Sequence, residues 1–275
     1  MMSRLTCALG AIGLVIAPHA HAQDRSYVTD IAPIAALVKA IDPAANITVL
    51  TLGADPHAIA LRPSHVRAIV NADAVFWAGP DFSPWLDGAL ANRDVPAVAL
   101  TAAEGHGWLD PSIASGWLSQ IEGAIADFAP AHAAMAQENG EIARARLADL
   151  ATEITERLAS ARDVPVLVSH DAYSAFAARF GVNIVAHITD GHDHAPGTSH
   201  LSELQEMIAT DDIACVFEEA GEHNEHAHLL TEDTDIFTAT LDPLGQTPDA
   251  PDAYLTLIEN VAATFNACAL AQAKG

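Results

Sequence analysis

Residues 134–162 read AMAQENGEIARARLADLATEITERLASAR, and the fold is read from what this stretch is and from what stands on either side of it. Ile142, Leu147, Leu150, Ile154 and Leu158 recur at steps of three to five, while Glu141, Arg144, Arg146, Glu153, Glu156 and Arg157 take the other faces and no proline intervenes. This is the pattern of one long amphipathic helix. Gly140 costs about 1 kcal/mol against Ala in a helix interior, so it marks a kink or an earlier start.

Outward from the helix, short apolar, β-branched runs alternate with helix-length spacers. Four precede it (27–31, 47–52, 74–78 and 95–100) and four follow it (164–169, 182–187, 213–218 and 236–241). Near-continuous hydrophobicity in runs of this length indicates parallel strands buried on both faces, in βα units. The expected fold class is α/β: two lobes, each a four-stranded parallel sheet flanked by helices, joined by one long helix. A single eight-stranded barrel has the same count of units and is the competing topology. The boundaries fall at 1–22 for a signal peptide, 23–133 for the N-terminal lobe, 134–162 for the linking helix and 163–275 for the C-terminal lobe. Two polar segments, 186–200 and 218–228, break the apolar periodicity and read as surface loops.

The signal peptide is read from Arg4, an apolar run over 5–17 and Ala20-His21-Ala22 before Gln23, the order of a secretory signal with a small-x-small cleavage site. The run is too short to span a bilayer, so export to the periplasm is expected. Of three cysteines, Cys7 lies within that signal and leaves Cys215 and Cys268. An even pair in an oxidising compartment reads as a disulfide, with two unpaired buried thiols as the alternative.

The 275 residues are 51% apolar, enough for a sizeable core. Only 12 Lys and Arg stand against 36 Asp and Glu, a net charge of -24. With no basic cluster, the counterion-release term behind nucleic-acid binding has little to act on, and nucleic acid is excluded as a partner. The field of such a chain attracts cations, and the 14 histidines are the groups to receive them.

In open parallel sheets ligands bind beyond the carboxyl ends of the strands. Four candidate ligands occupy such positions, two from each lobe: His57 after the second run, His106 after the fourth, His170 after the fifth and Asp242 after the eighth. Three imidazoles and a carboxylate complete a tetrahedral shell for Zn²⁺. Asp171 and Asp110 are the expected partners for the histidines' second ring nitrogens. A closed shell, with no H-E-x-x-H, argues against a zinc-dependent hydrolase. Ser169-His170-Asp171 is no triad, because adjacent strand residues face opposite ways. Affinity should fall as pH drops through the histidine range, since protonated imidazole cannot ligate.

These residues also carry a family resemblance. Gly53-Ala-Asp-Pro-His57, Leu61-Arg-Pro-Ser64, Ala72-Asp-Ala-Val-Phe-Trp77, His106-Gly-Trp-Leu-Asp-Pro111, His170-Asp-Ala-Tyr173 and Leu241-Asp-Pro-Leu-Gly245 resemble the zinc-specific periplasmic solute-binding proteins of metal ABC importers, the ZnuA-like cluster A-I family. The resemblance runs in order over about residues 27–268. It implies two α/β lobes bridged by a rigid helix, zinc held between them by His57, His106, His170 and Asp242, and a Cys215–Cys268 disulfide. It further implies no enzymatic activity and a monomer that delivers zinc to a membrane permease, with a periplasmic metallochaperone as a second candidate partner. Manganese-selective relatives usually place a carboxylate where His170 stands. A Mn²⁺ or other divalent-metal binding protein, or an adhesin of the same fold, is the alternative reading.

The chain departs from the family in its histidine-rich segments. The family's long loop between the first two ligands is here only the short connection 101–105. Histidines gather instead in the second lobe, as His187, His192, His194 and His200, then His223, His226 and His228. These are candidates for a second, weaker metal site.

Overall fold

The computed structural model describes residues 25–273 except 53–55, 57–58, 92, 102–104, 190–194, 211, 223, 246–247, 249 and 251. The expected signal peptide, His57, His192, His194 and His223 lie outside the described residues.

Tyr27 and Val28, neighbours in sequence, show how the first sheet is buried. β1 (Ser26–Thr29) is an inner strand of a parallel sheet of order β2-β1-β3-β4, with β2 (Asn46–Val49), β3 (Ala74–Trp77) and β4 (Ala97–Ala99). Successive side chains point to opposite faces. Tyr27 and Phe76 therefore pack against α1 (Ala32–Ile41) and α4 (Pro111–Phe128), while Val28, Val75 and Trp77 meet α2 (Pro63–Asn71) and α3 (Pro84–Leu90).

The second sheet repeats the scheme in the order β6-β5-β7-β8, from β5 (Pro165–Val168), β6 (Asn183–His187), β7 (Cys215–Glu219) and β8 (Phe237–Leu241). Val166, Val168 and Phe217 face α6 (Ser174–Phe180) and α9 (Ala253–Gln272). Leu167 and Val216 face α7 (Thr198–Ala209) and α8 (Glu225–Thr231). Two separate parallel sheets replace the competing barrel. In each, the chain reverses its direction of winding beside the first strand of its lobe, and the carboxyl ends at that reversal are the expected ligand position.

The long helix is α5 (Ala133–Arg157), followed by a 3₁₀ turn at Leu158–Ser160 rather than continuing to 162. Leu147, Leu150, Ile154 and Leu158 are buried as their spacing predicts, but Ile142 is 54% exposed, because the stripe has drifted off the core by that turn. Gly140 lies inside the helix. A Cβ there would overlap the Glu122 carboxylate on α4, which pairs with Arg144 at 2.7 Å, so the glycine admits a close helix–helix ion pair.

α5 and α9 help make the two lobes share one hydrophobic core. A single buried cluster contains Tyr27, Phe76 and Trp117 of the first lobe, Leu147 and Ile154 of α5, and Phe176, Phe217 and Phe265 of the second. Cys215 and Cys268 are joined, with Cα atoms 6.2 Å apart, which staples α9 to β7. Among the described residues no helix is long and apolar enough to cross a membrane.

The two polar segments expected as loops are partly regular. β6 runs to His187 and β7 to Glu219, while α7 starts at Thr198 and α8 at Glu225. Leu204, Ile208, Ala227 and Leu230 supply their buried faces. Histidines and acids around them obscure that short apolar period.

Candidate metal site

His106 follows β4 and opens the 3₁₀ turn Gly107–Leu109. Its imidazole is only 6% exposed and lies edge-on to Phe82, centroids 5.3 Å apart, and 4.9 Å from the Trp108 ring. Trp108, fully buried, fixes this turn to the other lobe. Its indole Nε1 donates to the Pro243 carbonyl at 2.7 Å, and its own carbonyl accepts from the Tyr254 hydroxyl at 2.6 Å.

His170, two residues beyond β5, is likewise 6% exposed. Its ring centroid is 5.4 Å from that of His106. Two imidazoles bound to one ion at about 2.1 Å and tetrahedral angles put their centroids about 5 Å apart, so the pair fits a shared divalent cation. The two rings come from different lobes.

Behind His170 stands Glu219, the last residue of β7 and 5% exposed. Its Oε2 is 3.2 Å from His170 Nδ1 and accepts from the Tyr173 hydroxyl at 3.3 Å. Burial first, then the charges of Glu219 and Asp242, push the Tyr173 hydroxyl far up from its ordinary pKa, which keeps it a donor. The sequence alone does not mark Glu219 as a partner of His170. The only signal was its place at a strand end, because the contact needs β5 and β7 to be neighbours.

The expected partners Asp171 and Asp110 do other work. Asp171 accepts from the Ser174 hydroxyl, and Asp110 caps α4 by accepting from Ser112 N at 2.7 Å. Such local bonds to nearby residues are what short acidic side chains before a helix usually form.

Asp242 follows β8. Its Oδ1 accepts from the backbone N–H groups of Leu244 (3.0 Å) and Gly245 (2.9 Å), in a turn that Gly245 completes at φ 65. The next residue, Pro243, receives the Trp108 bond, which brings this turn beside the one that carries His106. Among the described residues no three His, Cys, Asp or Glu side chains form a group that could hold an ion. His57 itself is outside them, but the preceding residue, Pro56, is buried and its carbonyl accepts from Trp85 Nε1 at 2.9 Å.

Of the remaining histidines, His187 ends β6 with Nε2 3.7 Å from Asp171 Oδ1, and its carbonyl takes His200 Nε2 at 2.9 Å. His226 and His228 are two residues apart on α8, hence about 200° apart around the helix axis. His228 pairs with Glu218 at 3.1 Å.

A family model described as "Zinc-uptake complex component A periplasmic" matches residues 28–268, across both sheets. The chain belongs to the ZnuA family. ZnuA-like proteins are solute-binding transport proteins and not enzymes, and the chain is a periplasmic metal-binding protein of this kind. It is 26% identical to the high-affinity zinc uptake system protein ZnuA of Brucella abortus, a match covering 77% of this chain and 81% of that one. Its fold resembles the laminin-binding protein Lmb of Streptococcus agalactiae, described as having adhesin and metal-transporting activity (TM-score 0.80, 21% identity, 90% and 100% of the chains). It also resembles a manganese-bound periplasmic metal-binding protein of Candidatus Liberibacter asiaticus (TM-score 0.78, 15% identity, 89% and 99%).

Proposed function

We propose that this ZnuA-family chain captures Zn²⁺ in the periplasm and delivers it to the membrane permease of an ABC importer. The ligands are His57, His106, His170 and Asp242. Residues 1–22 act as the export signal, and the ion sits between lobes 23–133 and 163–275, spanned by the helix that begins near 134. The observation that carries this reading is the pair of buried imidazoles, His106 and His170, one from each lobe and 5.4 Å apart. Imidazole at both positions favours Zn²⁺ over the harder Mn²⁺. The disulfide between Cys215 and Cys268 accords with an oxidising compartment. The protein works as a monomer, and a periplasmic metallochaperone is a second candidate partner. A weaker reserve of ligands is drawn from His187, His192, His194, His200, His223, His226 and His228, of which His226 and His228 lie on opposite sides of α8 and do not chelate together.

Substituting His170→Ala should lower zinc affinity by more than about 100-fold, measured by competition with a chromophoric chelator, with the circular dichroism spectrum unchanged. Unaltered affinity overturns the ligand assignment. Mn²⁺ that displaces Zn²⁺ at equal concentration overturns the choice of metal in favour of the manganese reading.

A further inference from the structure

A metal-binding histidine must offer a nitrogen that carries no proton, and neutral imidazole has two tautomers. Which one is present depends on what the other nitrogen meets. For His170 the structure gives a definite partner. Nδ1 lies 3.2 Å from Glu219 Oε2 in surroundings where both side chains are almost fully buried. A carboxylate there accepts the Nδ1 proton and leaves Nε2 as the ligating atom.

Glu219 is itself firmly held. Its Oε2 also accepts from the Tyr173 hydroxyl, and Asn224 clamps its backbone, accepting from Glu219 N at 3.1 Å and donating to Glu219 O at 2.9 Å. β5, which leads into His170, and β7, which ends in Glu219, are hydrogen-bonded neighbours at the point where the second sheet reverses its winding. The pair is thus set by the sheet rather than by a loop.

We propose that Glu219 is a positioning residue for metal capture. It orients the His170 ring, fixes its tautomer and makes Nε2 a stronger donor, and so sets the affinity of the site without touching the ion. The proposal rests on His170 being a ligand and goes beyond that reading in naming what tunes it.

The test uses the full mature chain with Glu219→Gln and Glu219→Leu, beside His170→Ala. Chelator competition should show Zn²⁺ affinity reduced about 10-fold in the Gln variant and about 100-fold in the Leu variant, within the range usual for removing such a partner. Nitrogen-15 NMR of the zinc-free wild type, at a pH where His170 is neutral, should show its proton on Nδ1, and Glu219→Leu should lose that preference. A purely structural role for Glu219 would leave the tautomer unmoved. If His170→Ala weakens binding but folded Glu219→Gln binds as tightly as the wild type, or if the wild-type proton resides on Nε2, the inference is overturned. If His170→Ala binds as the wild type does, the ligand assignment beneath it has failed instead. Should Glu219→Leu not fold, the isosteric Gln variant and the wild-type spectrum decide.

Discussion

Asp30 is a fully buried carboxylate just beyond β1, at the equivalent reversal point of the first sheet. It accepts from Ile31 N (2.9 Å), Ala78 N (2.9 Å) and the Ser83 hydroxyl (2.8 Å). It thereby ties down the turn carrying Phe82, which packs on His106. Burial pushes its pKa up to about 6 from 3.8, against the pull of those three donors. A carboxyl group whose folded pKa is raised binds its proton more tightly in the native state. Its contribution to stability is therefore fully present below pH 4 and is lost as pH rises towards and through 6. At about 1.4 kcal/mol per unit the swing is roughly 3 kcal/mol. Urea unfolding of wild type and Asp30→Asn between pH 4 and 7 should show the wild type losing stability relative to the variant over that window. A constant difference would reject this account. Trp108, touching His106 and fully buried, is the residue whose fluorescence should change on adding zinc. Trp108→Phe should abolish most of that change, whereas Trp77→Phe, on the opposite face of the first sheet, should leave it.

α5 shows how far an element can be read from its pattern. Ile154→Ala, at a fully buried position, should cost about 2–5 kcal/mol, while Ile142→Ala, on the exposed part of the same apparent stripe, should cost under about 1 kcal/mol by urea denaturation. The staple between β7 and α9 encloses a sequence separation of 53 residues, so a Cys215→Ala, Cys268→Ala double variant should lose about 2–4 kcal/mol in the same measurement. The strands were legible because parallel strands buried on both faces must be apolar throughout. Strand-end positions single out His106 and His170, whose rings the fold brings together. Glu219 was not legible, since β5 and β7 are separated in sequence by β6 and only the assembled sheet puts them side by side. Asp171 and Asp110 mislead because a carboxylate near a histidine in sequence is free to bond locally instead, Asp110 by capping α4 and Asp171 by accepting from the Ser174 hydroxyl. α7 and α8 escaped notice because their buried faces are short and crowded by histidine and acid.

At the scale of the molecule, the two sheets have the same strand order, and His106 of one lobe meets His170 of the other at the seam between them. Trp108 crosses that seam to Pro243, and Tyr254 reaches back to Trp108. The lobes thus meet through packed side chains and buried hydrogen bonds rather than across an open hinge. Loading with zinc should leave the radius of gyration measured by X-ray scattering unchanged within error. A clear contraction would indicate hinge closure instead.

The core that runs unbroken from one lobe through α5 to the other means that neither half can melt and leave its partner intact. Heating should give one cooperative endotherm, with calorimetric and van't Hoff enthalpies in agreement. An ion bound at the junction would move that single transition upward as a whole, in proportion to the logarithm of free metal above its dissociation constant.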